Sequence, residues 1–220
     1  MKQASDVNMN LLRDEILLLG GAAETAIARA TRALIERDSE LAEAVIIEDD
    51  EIDRMENEID KHCTSILMQG QFPPMDLRFV ITVSRTAPII ERIADHAVNI
   101  AKHALVLTGE PQLKSYIELP DLAGIAQEML IDGLDALTRY DCELARQTIR
   151  KDDRADDLYH RIYDDLIGMM EREPKTVRRA VELLFVIKHL ERIADYATNI
   201  CEMVIYMVEG RVIKHTPEAQ

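Results

Sequence analysis

The sequence predicts an all-α protein made of two tandem three-helix bundles, six long antiparallel helices related by an internal pseudo-two-fold repeat. Three observations predict it. The phrase ERIADHAVNI at 91–100 returns as ERIADYATNI at 191–200. DSELAEAVIIEDDEID at 38–53 likewise aligns with DCELARQTIRKDDRAD at 141–156, an offset of 103 against 100 for the first pair. The offset changes only within a Pro- and Gly-marked segment, where MQGQFPPMDLRF (68–79) is longer than MEREPKTVRR (170–179). Duplicated helical hairpins behave this way, because insertions collect in connections. The third observation is composition: 47% hydrophobic residues but only 4% aromatic, no Trp and 8 Gly. Cores built from Ala, Leu, Ile and Met suit helices better than sheets.

The elements follow in order. The first helix runs from about Met9 to Glu36, with Ile16, Leu19, Ala23, Ala26, Ile27, Ala30 and Leu34 at helical spacing. The second starts at the Asp38/Ser39 cap and continues to about Met68, with Ile52, Met55, Ile59 and Ile66 on one stripe; Gly70 stops it. The third begins after Pro73 and Pro74 and ends near Thr108, before Gly109 and Pro111. Pro88 lies inside it and should kink it, because proline lacks the N–H of the helical ladder. Pro120 opens the fourth helix, Cys142 lies near the start of the fifth, and Pro174 opens the sixth, which ends at Gly210. The repeats divide at residues 1–110 and 111–220. Short connections between such long helices imply antiparallel neighbours.

The formal net charge is −15. That balance argues against nucleic acid and anionic membranes, which need clustered Lys and Arg, and favours cations or basic partner surfaces. The three cysteines, Cys63, Cys142 and Cys201, are odd in number and far apart, so neither a disulfide framework nor a zinc knuckle is expected, and a reducing cytoplasm fits. No apolar run approaches a membrane span, and the N-terminus MKQASDVNMNLLRDE lacks a signal-peptide core. Any membrane location would come through a partner. No Ser–His–Asp arrangement, Gly-rich phosphate loop or Glu-x-x-His di-iron pattern is present, so no enzymatic activity is expected.

The repeated phrase carries the functional signal. On a helical wheel Glu91, Asp95, Asn99 and Lys102 form one stripe, and Ile93, Ala97, Ile100 and Ala104 face the core. The sixth helix repeats this with Glu191 and Asp195 against Ile193, Ala197 and Ile200. Two acids at i and i+4 repel each other, by roughly 0.2–0.5 kcal/mol, so a solvated face would more often alternate signs. The packing side has drifted between the copies, SRTAPII (84–90) against FVIKHL (185–190), while the acidic phrase has not. The second helix adds Asp49, Asp53, Glu56 and Asp60 on one flank; its copy keeps Asp152 and Asp156 but has Tyr159 and Tyr163 in the later places.

If the second and third helices pack antiparallel, the stripes converge on one groove. Such a group must find counter-charge, bind protons, or hold a metal ion. Oxygen-only donors suit hard cations: Fe³⁺, Mn²⁺, Mg²⁺ or Ca²⁺. The competing reading is an acidic surface closed by Lys102, Arg54, Arg92 and Lys188. His62 and Cys63 diverge on a helix and make poor joint ligands, His96 and His103 are two turns apart but His96 becomes Tyr196 in the copy, so a shared role is not expected, and His189 reads as an ordinary helix residue rather than a base.

The doubled ERIADHAVNI/ERIADYATNI, each after an acidic second helix (EDDEIDRMENEID, KDDRADDLYHRI), resembles the PhoU family over essentially the whole chain. DLR at 76–78 and NICEMVIYMVEG at 199–210 fit the same pattern. The resemblance implies a cytoplasmic accessory protein of the phosphate ABC transporter. Such a protein would be recruited to the inner membrane face and would negatively regulate phosphate uptake and the phosphate-starvation two-component response. It implies a sensor histidine kinase and the transporter ATPase as partners, and a homodimer. It also implies multinuclear iron or zinc on E(D)xxxD motifs, matched here by Glu91–Asp95, Glu191–Asp195, Asp49–Asp53, Glu56–Asp60 and Asp152–Asp156. Tyr159 and Tyr163 depart from that pattern in the second cluster. A metal-binding or metal-storage helical protein is the alternative.

Overall fold

The computed structural model describes residues 2–113 and 118–210, with side chains from residue 8 onward. Its helices are α1 (Lys2–Glu36), α2 (Ser39–Leu67), α3 (Pro74–Thr108), α4 (Leu119–Arg139), α5 (Cys142–Arg172) and α6 (Val177–Glu209). Two boundaries differ from the sequence reading. α1 starts seven residues before Met9, at Lys2, because its first turns carry no apolar stripe from which periodicity could be read. Pro174 opens a single 3-10 turn (Pro174–Thr176), and α6 proper begins at Val177. α3 continues through Pro88 as one helix.

The corner between the first two helices of each repeat shows the duplication in atomic detail. Arg37 and Tyr140 occupy equivalent places and both take φ 58°, the left-handed turn that ends a helix. The next residue caps the following helix: the Asp38 carboxylate accepts from Leu41 N at 2.9 Å, and Asp141 accepts from Glu143 N and Leu144 N at 3.0 Å. Such caps satisfy backbone donors that a helix start leaves unpaired.

Helices α1, α2 and α3 pack on one another, as do α4, α5 and α6; α3 lies against α6 and α1 against α4, joining the repeats. The stripes read from sequence form the core. Ile16, Leu19, Ala23, Ile27, Ala30 and Leu34 are buried on α1, and Ile93, Ala97, Ile100 and Ala104 on α3. The α1–α4 approach is close: a Cβ on Gly20 would stand 2.0 Å from Leu134 Cδ1. Nearby, the Arg13 guanidinium lies 5.1 Å from both the Phe79 and Tyr140 ring centres, tying α1, α3 and the end of α4. Phe79 is fully buried.

Candidate functional site

The antiparallel packing of α2 on α3 brings the two acidic stripes of the first repeat together. Asp49, Glu56 and Glu91 are half-buried at the flank of the apolar seam; Asp53, Asp60 and Asp95 are more exposed. Burial raises the Asp49 carboxyl above its ordinary range, and Asp53 and Asp95 raise it further, while Lys102 opposes them. Burial likewise raises Glu91, followed by Asp95, Asp53 and Glu56, with Arg92 opposing. Glu56 is raised by burial, then by Asp60 and Asp53. Each helix therefore feels the carboxylates of the other, and Asp60 joins the group by acting on Glu56, one turn away.

The second repeat builds the same groove between α5 and α6. Asp152 is pushed up to about 6, first by burial and then by Asp156, Asp195 and Glu191. Asp156 is raised by burial and Glu191, with His160 and Lys188 opposing. Asp195 is raised by burial and Glu191, with Arg192 and Lys188 opposing. Lys188 Nζ donates to Glu191 at 2.7 Å, and Arg192 donates to Asp195 at 3.0 Å. The Lys188 ammonium also stands 5.4 Å from the Tyr159 ring centre. Of the four cations that the sequence offered as counter-charge, Lys188 is bonded into a groove. Arg54 instead pairs with Glu51 on the solvent side of α2.

The donor set fits a hard cation in its chemistry. All ten positions are carboxylates, the raised pKa values of Asp49, Glu56, Glu91, Asp152, Asp156 and Asp195 mark charge short of compensation, and among the described residues Glu191 Oε2 is buried without a hydrogen-bond donor. Arg192 Nε stands 3.9 Å from that oxygen. The arrangement is a loose groove: among the described residues no three His, Cys, Asp or Glu side chains stand placed to hold a single ion.

These two grooves lie on a domain that occurs twice. A family model described as the PhoU domain matches residues 16–104 and again 119–204. The chain belongs to the PhoU family. Relatives agree along nearly the full length of this PhoU-family chain. One named a phosphate-specific transport system accessory protein PhoU homolog, from Pseudomonas aeruginosa, is 34% identical over 98% of this chain and 89% of its own. The phosphate-specific transport system accessory protein PhoU from Escherichia coli is 32% identical over 96% of this chain and 87% of its own. The fold is that of two crystal structures. PhoU from Pseudomonas aeruginosa has TM-score 0.89 and 34% identity, covering 94% of this chain and 99% of that one. The phosphate transport system regulatory protein PhoU from Streptococcus pneumoniae has TM-score 0.89 and 30% identity, covering 96% and 99%.

Sequence reasoning missed a polar cluster at the seam between the repeats. His96 on α3 and His189 on α6 meet at 2.9 Å through their Nδ1 atoms. His103 Nδ1 meets Glu182 Oε2 at 2.6 Å, and its ring stacks on Phe185 with centres 5.3 Å apart. Burial, then His96 and His103, push the His189 pKa down to about 4, and burial lowers that of His96. The copies could not reveal this cluster, because His96 and His189 sit at non-equivalent places in the repeat. Only the drift of SRTAPII against FVIKHL signalled that the two packing faces had diverged.

Proposed function

We propose that this chain regulates phosphate homeostasis as an accessory protein of a phosphate ABC transporter. It restrains phosphate uptake and the phosphate-starvation two-component response when phosphate is plentiful. The observation that supports this reading is the match of both repeats to the PhoU domain, together with near full-length relatives named as phosphate-specific transport accessory proteins. The reading needs protein partners on the membrane: the sensor histidine kinase and the transporter ATPase. No helix among the described residues is long and apolar enough to cross a membrane, so those partners would provide the attachment. The role is that of a non-catalytic adaptor acting in the cytoplasm, and a homodimer is part of the proposal.

The carboxylate grooves supply its cation chemistry. Glu91, Asp95, Asp49, Asp53, Glu56 and Asp60 would hold iron, manganese, magnesium or zinc in the first repeat, and Asp152, Asp156, Glu191 and Asp195 in the second. Binding would draw in carboxylates that otherwise repel one another, stiffening each α2–α3 or α5–α6 pair. A clean deletion in the source organism, with a phosphate-regulon reporter, tests the regulatory role. Reporter output should rise in phosphate-rich medium and return to the parental level on complementation. Unchanged output in the deletion strain would refute the role.

A further inference from the structure

The seam between the repeats carries a chemistry that the acidic grooves lack. α3 and α6 come from different repeats and lie against each other. Their two facing imidazoles, His96 and His189, have ring centres 5.1 Å apart and Nδ1 atoms 2.9 Å apart. A hydrogen bond between those nitrogens requires one ring to carry its proton on Nδ1 and the other on Nε2. With both protons on Nε2, two lone pairs point into the same gap. That conversion is a tautomer shift in one ring and releases no proton.

The spacing is that of a chelate. Metal–nitrogen bonds of 2.0–2.1 Å meeting at a tetrahedral angle place two nitrogens about 3.3 Å apart and the two ring centres about 5 Å apart. The rings stand at the second spacing because their nitrogens face each other almost head-on, so a chelate needs the nitrogens to separate by about 0.4 Å and both rings to swing towards a shared point. Both rings are half-buried at the seam, with only part of each open to water. His103 packs on the other side of His189, ring centres 5.6 Å apart, with its own Nδ1 engaged by Glu182.

We propose that His96 and His189 chelate one borderline divalent cation of the zinc, nickel or copper class through their Nδ1 atoms, with water completing the shell. Imidazole donors favour these ions over magnesium and calcium. The ion would clamp one repeat to the other, whereas a cation in a carboxylate groove joins helices within one repeat. The chelate does not depend on the carboxylate grooves or on any regulatory role.

Zinc titrated into the full chain by calorimetry, with magnesium in excess to occupy oxygen sites, tests the chelate. One equivalent of zinc per chain should bind despite the magnesium. His96→Ala and His189→Ala should each weaken it about tenfold or more, and His62→Ala, at a histidine that meets Glu15 away from the seam, should leave it unchanged. X-ray absorption of the zinc-loaded wild-type chain needs no variant, and should show two imidazole shells. An oxygen-only shell, affinity that survives both histidine substitutions, or no binding in the presence of magnesium would each overturn the proposal.

Discussion

The groove between α2 and α3 and its copy between α5 and α6 share four carboxylates, but they differ in what surrounds them. Glu56 and Asp60 of the first become Tyr159 and Tyr163 in the second, and Pro88 becomes Lys188. The second groove therefore brings its own cation: Lys188 bonds Glu191 at 2.7 Å and sits over the Tyr159 ring. The first has Lys102 and Arg92 nearby as the groups that oppose its raised carboxyls. Yet the most strongly raised carboxyl, Asp152, is in the better compensated groove. Its dominant cause is burial, and every charge acting on it is negative. Lys188 bonds Glu191 and opposes the rise of Asp156 and Asp195, but it is not among the charges that act on Asp152. Local placement of one ammonium thus matters more than the number of acids.

The largest effect should come from exchanging the residues that distinguish the grooves. Lys188→Pro places in α6 the residue that α3 carries at Pro88, removing both a helical N–H and the ammonium. It should cost about 3 kcal/mol or more, read from the shift of the chemical denaturation midpoint. A loss below about 1 kcal/mol would mean that α6 takes proline as readily as α3 does. Next in size is the response to added cation. Magnesium at about 100 times its dissociation constant should stabilise the chain by about 2.7 kcal/mol per saturated site, seen as a rise in melting temperature at low ionic strength. Glu91→Gln/Asp95→Asn should remove more of that rise than Glu191→Gln/Asp195→Asn. Equal losses would erase the distinction between the grooves.

Much of this was legible in the sequence, for physical reasons. Helical periodicity places Glu91 and Asp95 opposite Ile93 and Ala97, and the structure buries both apolar residues completely. The Asp38 cap marks its helix start because short polar side chains satisfy the free N–H groups there. Periodicity says nothing about which helices of different repeats touch. The meeting of His96 and His189 depends on α3 packing against α6, and neither residue has its like in the other copy. Lys188 was visible as a candidate counter-charge, but its aim at Glu191 and Tyr159 depends on a rotamer and on the neighbouring helix.

A smaller effect separates burial from charge in the second groove. The ordinary pKa of Asp152 is 3.8 and its folded value is about 6, so the folded chain holds a proton that the unfolded chain releases between those values. Its destabilisation is absent below pH 3.8, grows as pH rises towards 6, and is complete above it. Asp152→Asn should therefore be more stable than wild type at pH 7–8, by about 1 kcal/mol after allowance for solvent screening. The advantage should shrink as pH falls through 6 towards 4. His189 acts in the opposite sense: with a folded pKa near 4 against an ordinary 6.5, it loses stability as pH falls through that window. Both chains carry it, so the difference in melting temperature between them isolates Asp152. A difference that is flat across pH 4–8 would assign the effect to packing.

The smallest effect should come from Tyr159→Glu, which rebuilds in the second groove the acid that Glu56 provides in the first. It removes a ring 5.4 Å from the Lys188 ammonium, worth about 0.5–1 kcal/mol at a partly exposed site. It also adds a carboxylate close to Lys188, so part of that loss is returned by a new ion pair. In magnesium-free buffer the net change should be a slight loss of stability. The informative reading is the magnesium response, which should grow in Tyr159→Glu and diminish in the reciprocal Glu56→Tyr. If both substitutions left that response unchanged, the tyrosines would be bystanders, and Lys188 alone would account for the difference between the two grooves.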